Sequence, residues 1–174
     1  ARGGAISTLF DTRLSVVNCT LVENRVQFGA HGGGIFVEQM PFENSLIIEN
    51  SILWGNQAGD PDVFAAQVDM NTGDWNHRII NASCVQGIEP IRFSPQFGLN
   101  CIWDDPQLKE TSGTLTLESE SPCIDTGNTY VDADPLTPGF QGLSEIDLAG
   151  APRIVDGDED GVTDVDMGAY EYQP

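Results

Sequence analysis

The chain has 174 residues, of which 27 are acidic and 7 basic, giving a formal net charge of -20. Such a surface repels phosphate backbones and anionic headgroups, which excludes nucleic acid as a partner. No run of about 18 apolar residues is present, so no transmembrane helix is expected, and the four cysteines lack the C-x-x-C spacing of a zinc site.

The acid is unevenly distributed. Residues 1–100 carry 10 acids against 5 Arg, and residues 101–174 carry 17 acids against only Lys109 and Arg153. Taken in chain order, the first signal is a glycine echo. Gly3-Gly4-Ala5-Ile6 recurs as Gly32-Gly33-Gly34-Ile35, at an offset of 35 − 6 = 29. These glycines fall between strand patterns, where corners need positive φ. The second signal is a longer repeat. Leu14 to Asn24 aligns with Leu46 to Asn56, and Arg78 to Gly87 continues the series, each at an offset of 32 (46 − 14 and 78 − 46). The columns are Val16/Ile48/Ile80, Cys19/Ser51/Ser83 and Leu21/Leu53/Val85. Period-two alternation and β-branched residues mark short strands, and helical spacing is absent from residues 1–56.

Repeats of this length cannot bury an apolar face alone but can do so by stacking at a strand spacing of about 4.8 Å. The expected fold is therefore all-β: a solenoid of stacked strands with an irregular acidic C-terminal cap. Residues 1–100 are read as the last coils of a longer solenoid and 101–174 as the cap. Asn18 above Asn50, and Asn24 above Asn56, are expected to form asparagine ladders at turns. Asp60-Pro61-Asp62 reads as an acidic turn on an inserted loop, and Asp104-Asp105-Pro106 as a turn before a strand. Cys84 with Cys101 is a candidate disulfide, whereas Cys19 reads as a small buried residue.

Three C-terminal strings carry a resemblance: Ser121-Pro122-Cys123-Ile124-Asp125-Thr126-Gly127, Asp147-Leu148-Ala149-Gly150-Ala151-Pro152-Arg153, and Asp166-Met167-Gly168-Ala169-Tyr170-Glu171-Tyr172. They resemble the end of the "choice-of-anchor Q" group of secreted β-helix proteins, while Val17-Asn18-Cys19-Thr20-Leu21 and Asn50-Ser51-Ile52-Leu53-Trp54-Gly55-Asn56 resemble the right-handed parallel β-helix repeats of large bacterial surface proteins, so the resemblance implies a right-handed parallel β-helix. The resemblance implies a secreted or cell-surface location and an adhesin-like surface role, and it is not tied to one activity.

Residues 156–166 form an acidic loop. Asp156, Asp158 and Asp160 alternate ahead of Gly161, followed by Val162, Asp164 and Asp166. Alternating carboxylates with a turn glycine and a backbone carbonyl at Val162 suit calcium, which takes roughly 6–8 hard oxygens. Position twelve of the loop is Met167 rather than a bidentate acid, and no flanking helices are evident, so this is not an EF-hand. Asp125, Asp132 and Asp134 read as Asx turns instead of ligands.

No catalytic residue is assigned. The bases form no cluster, His31 and His77 are isolated, and no nucleophile motif is present. The preferred reading is a non-catalytic extracellular structural or adhesive module, stabilised by calcium, that self-associates or contacts a cell surface or polysaccharide. The alternative is the C-terminal part of a polysaccharide lyase or glycoside hydrolase, with Trp54, Trp75 and Trp103 offering sugar-stacking faces.

Overall fold

A computed structural model of the chain describes residues 3–10, 12–27, 31–38, 46–59, 62–70, 78–88, 100–129 and 143–174. Asp60, Trp75, His77, Asp132 and Asp134 lie outside the described residues. The protein is all-β in class, with nine short strands in parallel sheets among the described residues. They are β1 (Ile6–Thr8), β2 (Leu14–Val17), β3 (Thr20–Val22), β4 (Ile35–Val37), β5 (Leu46–Glu49), β6 (Ile52–Trp54), β7 (Val68–Met70), β8 (Arg78–Asn81) and β9 (Cys84–Val85). A short helix, α1 (Val63–Gln67), precedes β7, and β10 (Leu108–Thr111) and β11 (Thr114–Leu117) follow.

Among the described residues the nine strands form three sheets, ordered β1-β4-β7, β2-β5-β8 and β3-β6-β9. Each of three successive passages of the chain thus gives one strand to each sheet. The register follows the sequence repeat. Leu14 pairs with Leu46 and Leu46 with Arg78, while Thr20 pairs with Ile52 and Ile52 with Cys84. Ile6 pairs with Ile35, the partner that the glycine echo gives. Ile102 adds a parallel bridge beyond β9, opposite Cys84.

Alternation within the strands gathers one core from all three sheets. Val16, Leu46, Ile48 and Ile80 meet Ile35, Val37 and Val68, and both groups meet Leu53 and Val85. Between the second and third strand of each passage the chain turns through a left-handed residue. Asn18, Asn50 and Ala82 occupy this column at φ of 49°, 48° and 40°. Asparagine tolerates that region better than most residues with a Cβ. The next column is a hydroxyl ladder: Cys19 N–H donates to Ser51 Oγ at 3.1 Å, and Ser51 N–H to Ser83 Oγ at 3.2 Å.

The two expected asparagine ladders differ. Asn56 Oδ1 accepts from both Asn24 N–H (2.9 Å) and Asn24 Nδ2 (3.0 Å). Asn50 instead directs its amide away from the stack. Its Nδ2 donates to Asn128 O, and its Oδ1 accepts Asn128 N–H at 2.7 Å, leaving Asn18 Oδ1 buried without a partner. Asp62 is more than part of an acidic turn, because its side chain caps α1 by accepting from Phe64 N–H and Ala65 N–H. That helix positions Gln67, which is fully buried and holds Asn56 Nδ2 at 2.7 Å.

Strands β10 and β11 form an antiparallel hairpin closed by Ser112 and Gly113, both left-handed (φ 55° and 83°). Two such residues make the tight turn whose twist matches a hairpin. Leu108 and Leu117 from this hairpin reach a second apolar cluster with Ile52, Ala82, Cys84, Cys123, Ile124 and Met167. This cluster includes the outward residues of β6 and β9, so Ile52, Leu53, Cys84 and Val85 are buried on both faces of the sheet, while β3 at its end is half-buried. The C-terminal segments around 117–128 and 165–172 therefore lie along the flank of that sheet. No described helix is long and apolar enough to cross a membrane.

Asn56 joins three elements at once, through Asn24, Gln67 and the Leu21 carbonyl. Asn56→Ala removes the acceptor of Asn24 N–H and the donor to Leu21 O and Gln67 Oε1, and should cost about 3 kcal/mol in chemical denaturation, against about 1 kcal/mol or less for Asn24→Ala.

Candidate metal centre and its buried support

The acidic loop is held at its base by a two-residue antiparallel bridge. Val155 N–H donates to Asp164 O at 3.2 Å, and Asp164 N–H returns to Val155 O at 3.1 Å. Inside the loop, carboxylates are engaged in capping backbone amides. Asp156 Oδ2 accepts Gly161 N–H, Asp158 Oδ1 accepts Asp160 N–H, and Asp160 Oδ1 accepts Val162 N–H. Asp164 Oδ1 accepts from Val165 N–H and the Thr129 hydroxyl.

Asp125 enters this loop from 31 residues earlier (156 − 125). Its backbone is left-handed (φ 50°), and its Oδ2 accepts Gly157 N–H at 2.8 Å and Asp158 N–H at 2.9 Å. The result is a convergence of three carboxylates. One oxygen each from Asp125, Asp156 and Asp158 lies within 4.8 Å of the others. Burial raises the Asp125 pKa, and the charges of Asp158 and Asp156 raise it further, while the two amides pull it down. Asp156 Oδ1 is buried and has no hydrogen-bond partner. Three hard oxygens with one orphaned acceptor fit a divalent, oxygen-seeking cation.

Of the six residues expected to bind metal, Asp156 and Asp158 therefore converge. Asp160, Val162, Asp164 and Asp166 lie outside that group of three. Val162 is exposed, and Asp160 caps its amide. Asp166 points inward, where its oxygens accept Asp125 N–H and Tyr172 N–H. Asp125 was the residue that spacing within the loop missed, since its contribution comes from a distant segment.

Behind the loop lies a buried polar network built from the three C-terminal strings. Arg153 Nη1 donates to Glu171 Oε1 at 2.6 Å, and both side chains are almost completely buried. Glu171 Oε2 accepts Asp166 N–H, and Glu171 N–H donates to Asp147 Oδ2. Asp147 Oδ1 accepts Ala149 N–H and Ala151 N–H, closing its own turn. The glycines of these strings mark close approaches. A Cβ at Gly168 would stand 2.9 Å from Thr20 Oγ1 and 3.0 Å from Ile52 Cδ1, and one at Gly127 would stand 2.6 Å from Val165 O. Gly168 N–H donates to Asn50 O, and Ala169 N–H to Thr20 Oγ1, so this segment is sewn to the strand turns.

The expected Cys84–Cys101 disulfide is not formed, and all four cysteines carry free thiols. The bridge between Cys84 and Ile102 puts Cys101 one residue out of step, on the opposite face of its strand. Cys101 accordingly packs with the core inside the three sheets, and Cys84 with the flank cluster. His31 is more than half exposed and pairs with Asp69 at 2.7 Å. Trp103 is exposed, whereas Trp54 packs against the flank cluster.

No family model matches the chain, and no curated protein or solved structure does either.

Burial pushes the Glu171 carboxyl up to about 8 and the Asp166 carboxyl to about 6, against the opposing pull of backbone amides and Arg153. A group with a raised folded pKa holds its proton more tightly when folded. Its stabilisation is full below the unfolded values of 3.8 (Asp) and 4.5 (Glu) and is lost as pH rises through the folded values. The Tm measured without divalent cations should therefore fall between about pH 5 and 8.5, and Glu171→Gln should flatten that slope. A Tm that climbs over the same window contradicts the assignment.

Proposed function

We propose that this chain is a non-catalytic structural or adhesive module of an extracellular or cell-surface protein, built as a right-handed parallel β-helix and stabilised by calcium. The observation that carries this reading is the use of the polar residues in the C-terminal strings. Asp147, Arg153, Asp166 and Glu171 are all buried, and each is engaged in bonds to backbone or to another of the set. Residues in those roles secure a fold, and these four side chains are not free to act as acid or base on a substrate.

The helical reading is supported by three sheets in which each strand pairs with its counterpart one passage away. Parallel strands in one sheet connect right-handedly in about 98% of cases, which favours the right-handed coil. The secreted location and the likeness to the choice-of-anchor Q group rest on the sequence strings. Calcium is favoured over softer metals because the converging ligands are all carboxylates. The ligand set becomes Asp125, Asp156 and Asp158, completed by carbonyl oxygens or water. Bound calcium would lower the pKa of Asp125 and relieve repulsion among the three acids. Calcium should raise Tm by several degrees relative to chelator, and Asp158→Asn should abolish the shift. An identical Tm with calcium and with chelator would remove the metal from this reading.

Self-association is supported by the order of the sheets. Strands β1, β2 and β3 each stand at the end of a sheet. Ile6 N–H and Thr8 O are bonded on the β4 side, so the intervening Ser7 N–H faces the open side. Leu9 and Phe10 beside it are about 60% exposed (60% and 59%). Edge strands of this kind pair with a further strand, whether from an earlier coil or from another chain. Sedimentation and electron microscopy should show concentration-dependent oligomers or filaments, and Ser7→Pro, which deletes the edge donor, should reduce them. A strict monomer at all concentrations overturns self-association, and cleavage of a polyuronide by this chain overturns the non-catalytic reading.

A further inference from the structure

Two cysteines distant in sequence share the flank cluster. Cys84 lies on β9 and Cys123 in the turn that follows β11, 39 residues later (123 − 84). Both are fully buried, and both pack in the same cluster with Ile52, Ile124 and Met167. The Cys84 thiol donates to Asp104 O at 3.4 Å, and Cys123 is the neighbouring side chain that acts on it most strongly. The surrounding backbone is fixed on both sides. Cys84 N–H donates to Ser51 O at 2.9 Å, and Cys123 N–H donates to Ser121 Oγ while its carbonyl accepts Met167 N–H at 3.0 Å.

We propose that Cys84 and Cys123 form an oxidisable pair, closed to a disulfide by exchange with a small-molecule disulfide, and that this bond ties the C-terminal segment to the outer face of β9. Cys101 is not the partner of Cys84, because it packs with the core inside the three sheets and not with the flank cluster. Cys19 is also excluded, since its thiol donates to Val17 O at the far end of the sheet order. The contact of Cys84 with Cys123, reinforced by burial, raises the Cys84 pKa and disfavours the thiolate in the closed fold. Both thiols are closed off from solvent in the folded chain, so closure takes place while the chain folds, before the cluster is shut.

The chemistry is thiol–disulfide exchange. One cysteine thiolate attacks a sulfur of the small disulfide and releases one small thiol, leaving a mixed disulfide. The second cysteine thiolate attacks the protein sulfur of that intermediate and expels the other small thiol. Two cysteine thiols lose two protons and two electrons in total, and one small disulfide is reduced to two small thiols.

The test is refolding of the full chain in a glutathione and glutathione-disulfide buffer, followed by alkylation and non-reducing peptide mapping by mass spectrometry. The expected product links the peptides of Cys84 and Cys123 and leaves Cys19 and Cys101 alkylated. Closing a loop of this size should raise Tm by roughly 5–15 °C over the reduced protein. Cys101→Ser should keep both the link and the shift. In Cys84→Ser/Cys123→Ser the Tm should be the same in oxidising and reducing buffer. Alkylation of all four thiols after oxidative refolding, or a dominant link from Cys84 to Cys101, overturns the proposal. Because the readout is a covalent bond, it is independent of whether the chain binds calcium or assembles.

Discussion

A strand of two or three residues buries very little by itself, and β3, β6 and β9 are all that short. Their stability depends on burial of both faces of the sheet they form. Leu53 and Val85 point into the core shared with the other two sheets, while Ile52 and Cys84 point outward into the flank cluster. Completing that outer cluster requires Leu117, Cys123, Ile124 and Met167, all of which come from the second half of the chain. The stack of strands and the C-terminal segment are therefore mutually dependent. Without the flank, Ile52 would be exposed to water; without the sheet, Met167 would have nothing to pack against.

The polar network follows from the same constraint. A segment crossing the face of a sheet outside any regular element leaves backbone amides that must find acceptors. Here carboxylates supply them: Asp147, Asp166 and Glu171 accept from Ala149, Ala151, Asp125, Tyr172 and Asp166 backbone groups. Burying those acids is unfavourable, and one buried Arg153 offsets part of it through Glu171. This also explains why the acidity concentrates beyond residue 100. Part of it is backbone capping, and only a smaller part converges where a cation could bind.

Much of the first half was legible because its contacts recur at a fixed sequence distance. The offset of 32 gave the pairing of Leu14 with Leu46 and of Ile52 with Cys84, and the glycine echo gave Ile6 with Ile35. Such contacts are encoded twice, once in each copy. The flank is encoded once. Asn50 meets Asn128 78 residues away, and Ala169 meets Thr20 149 residues away, with no repeat to announce either. The same limit applies to Asp125, whose role needed a second segment, and to Cys84, whose face depended on pairing with Ile102 rather than Cys101. The hairpin at Ser112-Gly113 did carry a local signal, a turn dipeptide next to alternating Leu and Thr residues. Only Thr114-Leu115-Thr116-Leu117 alternates, however; its partner Leu108-Lys109-Glu110-Thr111 does not, so the sequence marks one strand of the pair and not the other.

The mutual dependence of stack and flank is tested most directly by native-state hydrogen exchange, resolved by residue. The account predicts that amides of β6, such as Ile52, and amides of the flank, such as Gly127, Met167 and Gly168, exchange with the same opening free energy and respond alike to denaturant. A flank that opens at much lower free energy, while the β6 amides keep their full protection, would contradict it.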